Sequence, residues 1–167
     1  MPEKDTIFSS KTKYQGIMDF QEFYKFCYNW LVDEVALNVI EEKYSEKIVG
    51  DAKNIDIIWV GTKKITDYFK EEIKVTFQIL GLTKIEIIKE GKKIKTNNGS
   101  VEVKTKGTLI RDYEGKFETT SSKKFLRSIY EKWVIPSRIL EFEEKIISDC
   151  NEFLSQAKAF LDIEGNK

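Results

Sequence analysis

Side chains that could do chemistry are few in this chain, and the most versatile type is missing. None of its 167 residues is a histidine. That removes Ser-His-Asp and Cys-His nucleophile pairs and histidine proton shuttles. The usual zinc centres go with it, because two distant cysteines, Cys27 and Cys150, cannot supply a cluster alone. Phosphate-binding glycine loops and the Asp-rich calcium loop are also missing. Carboxylate chemistry remains. Arg111, Asp112, Tyr113 and Glu114 stand together near the end of an expected strand and could offer a cation, an acid and a base. The same four residues also read as an exposed turn with solvated charges and one packed tyrosine. Cys27 falls in an aromatic helix pattern, where a buried, inert thiol is the simpler reading. No catalytic residue, metal ligand or cofactor is assigned on this basis, and the chain reads as a non-enzyme.

These residues depend on elements that the hydrophobic periodicity sketches. Residues 7–16 suggest a short strand. Asp19 and Glu22 have capping-box spacing, and Phe20, Phe23, Tyr24, Cys27, Trp30 and Leu31 then recur at helical intervals to about Asp33. From residue 36 to 118 the period shifts toward two. Between residues 68 and 80, Phe69, Ile73, Val75, Phe77 and Ile79 share one face with Glu71, a misfit that reads as the strand end. Gly81 closes this strand, Glu90-Gly91 and Asn98-Gly99 read as turns, and Gly107 marks a bulge or bend. A helix follows from Ser121 or Ser122 with Phe125, Leu126, Ile129, Tyr130 and Trp133. After Pro136 a long helix runs over 137–162. Ile139, Ile146, Phe153 and Phe160 repeat every seven residues along it, paralleled by Leu140, Ile147, Leu154 and Leu161. So wide a stripe predicts packing on the sheet and also on the first helix or a second copy.

The expected fold class is therefore α+β: an antiparallel sheet of five to seven strands, with an N-terminal helix and a long, Pro-interrupted C-terminal helix packed on it. Residues 7–163 form one domain, flanked by flexible residues 1–6 and 164–167. The 28 basic and 28 acidic residues cancel, which removes a global attraction to nucleic acid or anionic membrane. Arg111, Arg127 and Arg138 are the sole arginines, a further mark against nucleic acid. Locally the charges separate. Residues 63–106 hold 11 lysines and 6 acids, and residues 139–167 hold 3 lysines and 7 acids. A basic sheet face and an acidic last helix suit ordinary solvation, self-association, or docking of the sheet on an acidic partner. With no signal-peptide layout and no apolar run of about 20 residues, a cytoplasmic protein without a membrane span is expected.

The order of one strand, a helix, several antiparallel strands and a long C-terminal helix resembles the helix-grip fold of START and Bet v 1-like proteins. That resemblance implies a curved sheet around the long helix, often with an apolar cavity. Trp59, Phe77, Phe142 and Phe153 are then the candidate ligand-binding residues for an apolar small molecule or lipid. The stretch Gly91–Glu114, with Ile135-Pro136-Ser137-Arg138 and Lys158-Ala159-Phe160-Leu161, is similar to small uncharacterised archaeal proteins and implies no activity. The first functional expectation is a non-catalytic binding or assembly module contacting a protein partner or its own copies. The second is a helix-grip carrier.

Overall fold

The computed structural model describes residues 3–114, 121–129, 132 and 136–165. Five strands account for the period-two segments: β1 (Glu3–Met18), β2 (Asn38–Val49), β3 (Ala52–Lys64), β4 (Phe69–Lys89) and β5 (Lys92–Arg111). They form one antiparallel sheet in the order β1-β5-β4-β3-β2. Strands β2 to β5 are a meander, and β1 returns to the far edge beside β5. β1 takes in residues 3–6, which the sequence reading left outside the domain, and Glu3 lies opposite Arg111.

Two glycine signals act differently from their local reading. Glu90 and Gly91 have φ of 51° and 76° and close the β4–β5 hairpin between Lys89 and Lys92. That is the left-handed pair a two-residue turn requires. Asn98-Gly99, by contrast, is no turn, because β5 runs straight through it. Nor does Gly81 end its strand. It sits at φ 63° in a bulge between Leu80 and Thr83, after which β4 continues to Lys89. Gly99 lies across from that bulge, and a Cβ there would come 3.1 Å from the Leu82 Cα. The two glycines therefore share one bend in one long hairpin. Asn97 fixes the spot from its side chain, accepting from Phe20 N–H at 3.2 Å and donating to the Thr83 carbonyl at 3.3 Å.

Among the described residues, three helices accompany the sheet. α1 (Phe20–Asn29) begins at Asp19, whose carboxylate accepts from Glu22 N–H at 3.1 Å. The chain stays helical through one wide π turn, Trp30–Glu34. α2 covers Ser121–Ile129 and α3 covers Pro136–Gly165. Pro136 is thus the first residue of α3, where its missing N–H and fixed φ suit a helix start. The readings of Tyr130 and Trp133 lie outside the described residues.

Alternation sends Ile55, Ile57 and Trp59 from β3, Phe69, Ile73, Val75, Phe77 and Ile79 from β4, and Val101, Val103 and Leu109 from β5 to one buried side. Phe23, Cys27 and Leu31 of α1 and Ile146, Phe153, Ala157 and Leu161 of α3 complete this core. Burying each large apolar side chain contributes about 1.5–3 kcal/mol. The far edge of the α3 stripe meets α1, where the Phe26 and Phe160 rings stack at 4.8 Å. Leu140 on the same stripe is exposed.

Candidate functional site

Glu71 belongs to the inward face of β4, two residues after Phe69 and two before Ile73, in mid-strand. It does not mark the strand end. Register places it beside Lys63 of β3 and Leu109 of β5. Its exposure is 0%, and that of Asp149, above it on α3, is 3%. Cys150 is buried next to Asp149, and Gly107 makes room for this part of α3. A Cβ on Gly107 would come 2.7 Å from Ile146 Cγ2 and 2.9 Å from Cys150 Sγ.

Two carboxyl groups in a dry core cannot both be charged cheaply. With both ionised, neither Glu71 oxygen nor Asp149 Oδ2 has a hydrogen-bond partner. Burial first, and the Asp149 charge second, push the Glu71 pKa up to about 7, against the smaller pull of Lys63 and Lys145. A proton on Glu71 makes the pair donor and acceptor to each other. Asp149 Oδ1 meanwhile accepts from Lys145 Nζ at 2.8 Å, and this bond raises the Lys145 pKa. The Cys150 thiol is pushed up to about 12, by burial and then by the two carboxyls, and burial alone holds Cys27 well above its ordinary value. Neither sulfur is a nucleophile near neutral pH. Glu71 can exchange a proton near neutrality, but it lies closed beneath α3.

The sequence reading missed Glu71 because a charged residue in an alternating strand resembles a boundary. Its inward register was the available signal. Asp149 becomes its neighbour through the docking of α3, which no local pattern reveals.

The structure draws Arg111, Asp112, Tyr113 and Glu114 into a latch at the end of β5. Arg111 pairs with Asp5 of β1 at 3.0 Å. Asp112 is buried at φ 49°, and its N–H donates to the Tyr68 carbonyl at 2.8 Å. The Tyr113 hydroxyl donates to the Thr66 carbonyl at 3.1 Å, and the Lys64 and Lys70 ammonium groups lie 5.9 and 5.8 Å from its ring. Glu114 is exposed. Most of the cluster thus ties β5 to the β3–β4 connection and to β1.

The four aromatic candidates divide among three places. Trp59 and Phe77 pack together at 4.8 Å, and Phe77 meets Phe23 at 6.0 Å. Phe153 packs on Trp30 at 5.8 Å, and half-buried Phe142 on Phe69 at 5.3 Å. The Trp59 indole N–H donates to Glu41 Oε2 at 2.8 Å, and the Tyr24 hydroxyl donates to the same oxygen. Trp59, Phe77, Phe142 and Phe153 do not line the described grooves, which open around the start of α1. One of these, about 600 Å³, runs between Phe20, Glu46, Lys53 and Asn97.

At that end the surface is apolar as well as polar. On edge strand β2, Ile40, Tyr44, Ile48 and Val49 are exposed, Ile48 by 70%. Tyr44 makes an edge contact with Tyr24 at 6.3 Å and lines a second groove with Phe20 and Gln21. Among the described residues, no group of three or more His, Cys, Asp or Glu side chains could hold a metal ion. No described helix is long and apolar enough to cross a membrane. No family model, no curated protein and no solved structure matches this chain.

Proposed function

We propose that this chain is a non-catalytic binding or assembly module acting through protein contacts, with β2 as its principal edge. One observation carries the reading: β2 ends the sheet and holds exposed Ile48 and Val49 beside Tyr44. An open strand edge offers backbone donors and acceptors in a row, and a partner strand can extend the sheet there. The register shift between Glu41 and Lys43 blunts the first part of the edge and leaves Lys43–Val49 as the regular run. Tyr44 within this run, and Tyr24 and Tyr28 next to it, are the side-chain type enriched at protein interfaces.

The strand order, with β1 returning beside the last strand, supports the helix-grip resemblance. The carrier activity that goes with that resemblance receives less support, because Trp59, Phe77 and Phe153 are closed against neighbouring rings. Two free, buried cysteines suit a reducing, cytoplasmic setting.

The test is a photoreactive benzophenone side chain placed at Ile48 in living cells, with Ser155 on the exposed side of α3 as the control site. The expected result is a discrete adduct from Ile48 and none from Ser155. Its mass tells a second copy from another protein. Equal labelling from both sites, or none from Ile48 in a chain that sediments as a monomer, overturns the reading.

A further inference from the structure

The sheet face turned away from α1 and α3 carries two continuous rows across the strands. One runs Ile40–Val60–Lys74–Lys106–Ser9, the other Lys43–Ile58–Thr76–Lys104–Lys11. Each passes from apolar residues on β3 to lysines on β5. Lys74 stands directly opposite Lys106, and Lys104 opposite Lys11. Like charges in such positions repel and destabilise a sheet. Lys11 has an acidic neighbour, Glu102, at 3.8 Å. Lys74, Lys104 and Lys106 are exposed, and none of them enters the described ion pairs.

We propose that this face docks an acidic amphipathic helix of a protein partner, whose apolar stripe lies on Ile40, Ile58 and Val60 and whose carboxylates meet Lys74, Lys104 and Lys106. The proposal rests on the protein-contact reading and names the partner's chemistry. Strands are ~4.8 Å apart, so the surface from β2 to β5 is ~14 Å wide, and a helix ~10 Å across lying over β3 and β4 reaches the apolar strip on one side and the lysine columns on the other. A phosphodiester chain fits less well. It would lay a hydrated backbone on the isoleucines, and these two rows offer neither an arginine fork nor an aromatic ring for base stacking.

The probe is a synthetic helical peptide of about 18 residues, ~27 Å long, with leucine along one face and glutamate on both flanks. Binding to the whole chain is followed by amide shift changes and titration. Shifts centred on the two rows and kept to this sheet face are expected, as is affinity at least about tenfold above a scrambled peptide of equal composition. Lys74→Glu provides the sharpest variant. It removes the repulsion with Lys106, so Tm rises by about 2 °C, while peptide affinity falls about tenfold. Loss of binding in a stabilised protein cannot come from misfolding. Ile40→Asp weakens binding through the other half of the surface.

Equal binding of the scrambled peptide, or shifts elsewhere, overturns the proposal. Tighter binding of a single-stranded oligonucleotide, or of phosphatidylserine vesicles, through the same lysines overturns it in favour of that ligand. If peptide binding fails while the Ile48 adduct forms, this surface is wrong and the protein-contact reading stands. If both fail, the reading itself is wrong.

Discussion

At the scale of single residues, Glu71 is the least comfortable group described, and its discomfort has a definite pH signature. Its pKa rises from an ordinary 4.5 to about 7 on folding. Below pH 4.5 the carboxyl is protonated in both the folded and the unfolded chain and costs nothing. As pH rises from 4.5 toward 7, the unfolded chain releases its proton first, so stability falls across that window and levels off above it. The full penalty is on the order of 3 kcal/mol. Glu71→Gln is uncharged at every pH and can still donate to Asp149. Denaturant titrations at a series of pH values should show the variant more stable than the parent at pH 8, by about 1–3 kcal/mol. They should show little difference at pH 4.5 and a weaker slope between. A parent whose stability does not fall between pH 5 and 7 would mean that Glu71 ionises freely and that a counter-charge has been missed. Lys63 and Lys145 are the groups to consider then, since both already pull the pKa down.

At the scale of elements, the seat of α3 on the sheet turns on Gly107. Ile146 and Cys150 approach β5 so closely that a methyl group there would fall inside both their contact distances. Gly107→Ala should cost about 1–3 kcal/mol by overpacking, read as a lowered denaturation midpoint with an unchanged slope. A neutral result would mean that α3 rides higher than its contacts indicate. The reading of Gly107 as a bulge or bend holds on the strand side, where β1 shifts register between Thr6 and Phe8 across from it, and it misses the helix side, which is where sequence reasoning reached its limit. Alternation from Phe69 to Ile79 and the seven-residue repeat in α3 are local patterns set by burial on one side, so strand, helix and their buried faces were legible. The roles of Gly81 and Gly99, and the helix-facing role of Gly107, were not, because they depend on distant pairing and packing: Gly81 sits in a bulge, Gly99 faces the Leu82 backbone and Gly107 faces α3. Asn98-Gly99 has turn composition, yet Asn97 and Gly99 work within a strand. The Arg111–Glu114 cluster was legible as a group. Its role as a latch depends on Thr66 and Tyr68, which sequence reasoning had no means of bringing near.

At the scale of the whole molecule, the sheet has one buried face and one that is mostly half-buried or exposed, and this asymmetry makes α3 indispensable. Phe153, Leu154, Ala157 and Leu161 are buried by 91% or more, against the sheet and α1. Losing Phe153, Leu154 and Leu161 alone removes about 5–9 kcal/mol of burial, comparable with the ~5–15 kcal/mol that holds a typical domain folded. Ending the chain after Glu152 also removes Phe160, whose ring packs on Phe23 at 6.0 Å, and so opens the core beside α1. The expected product keeps strand-like far-ultraviolet circular dichroism, loses its near-ultraviolet signal, binds a hydrophobic dye and melts without a cooperative transition. Ending it after Ile163 instead should change little, because Leu161, the last of the described core residues of the helix, is kept. A cooperative transition in the shorter chain would show that β1 to β5 with α1 form a self-sufficient unit, and α3 would then have to be understood as a detachable arm rather than as the cover of the core.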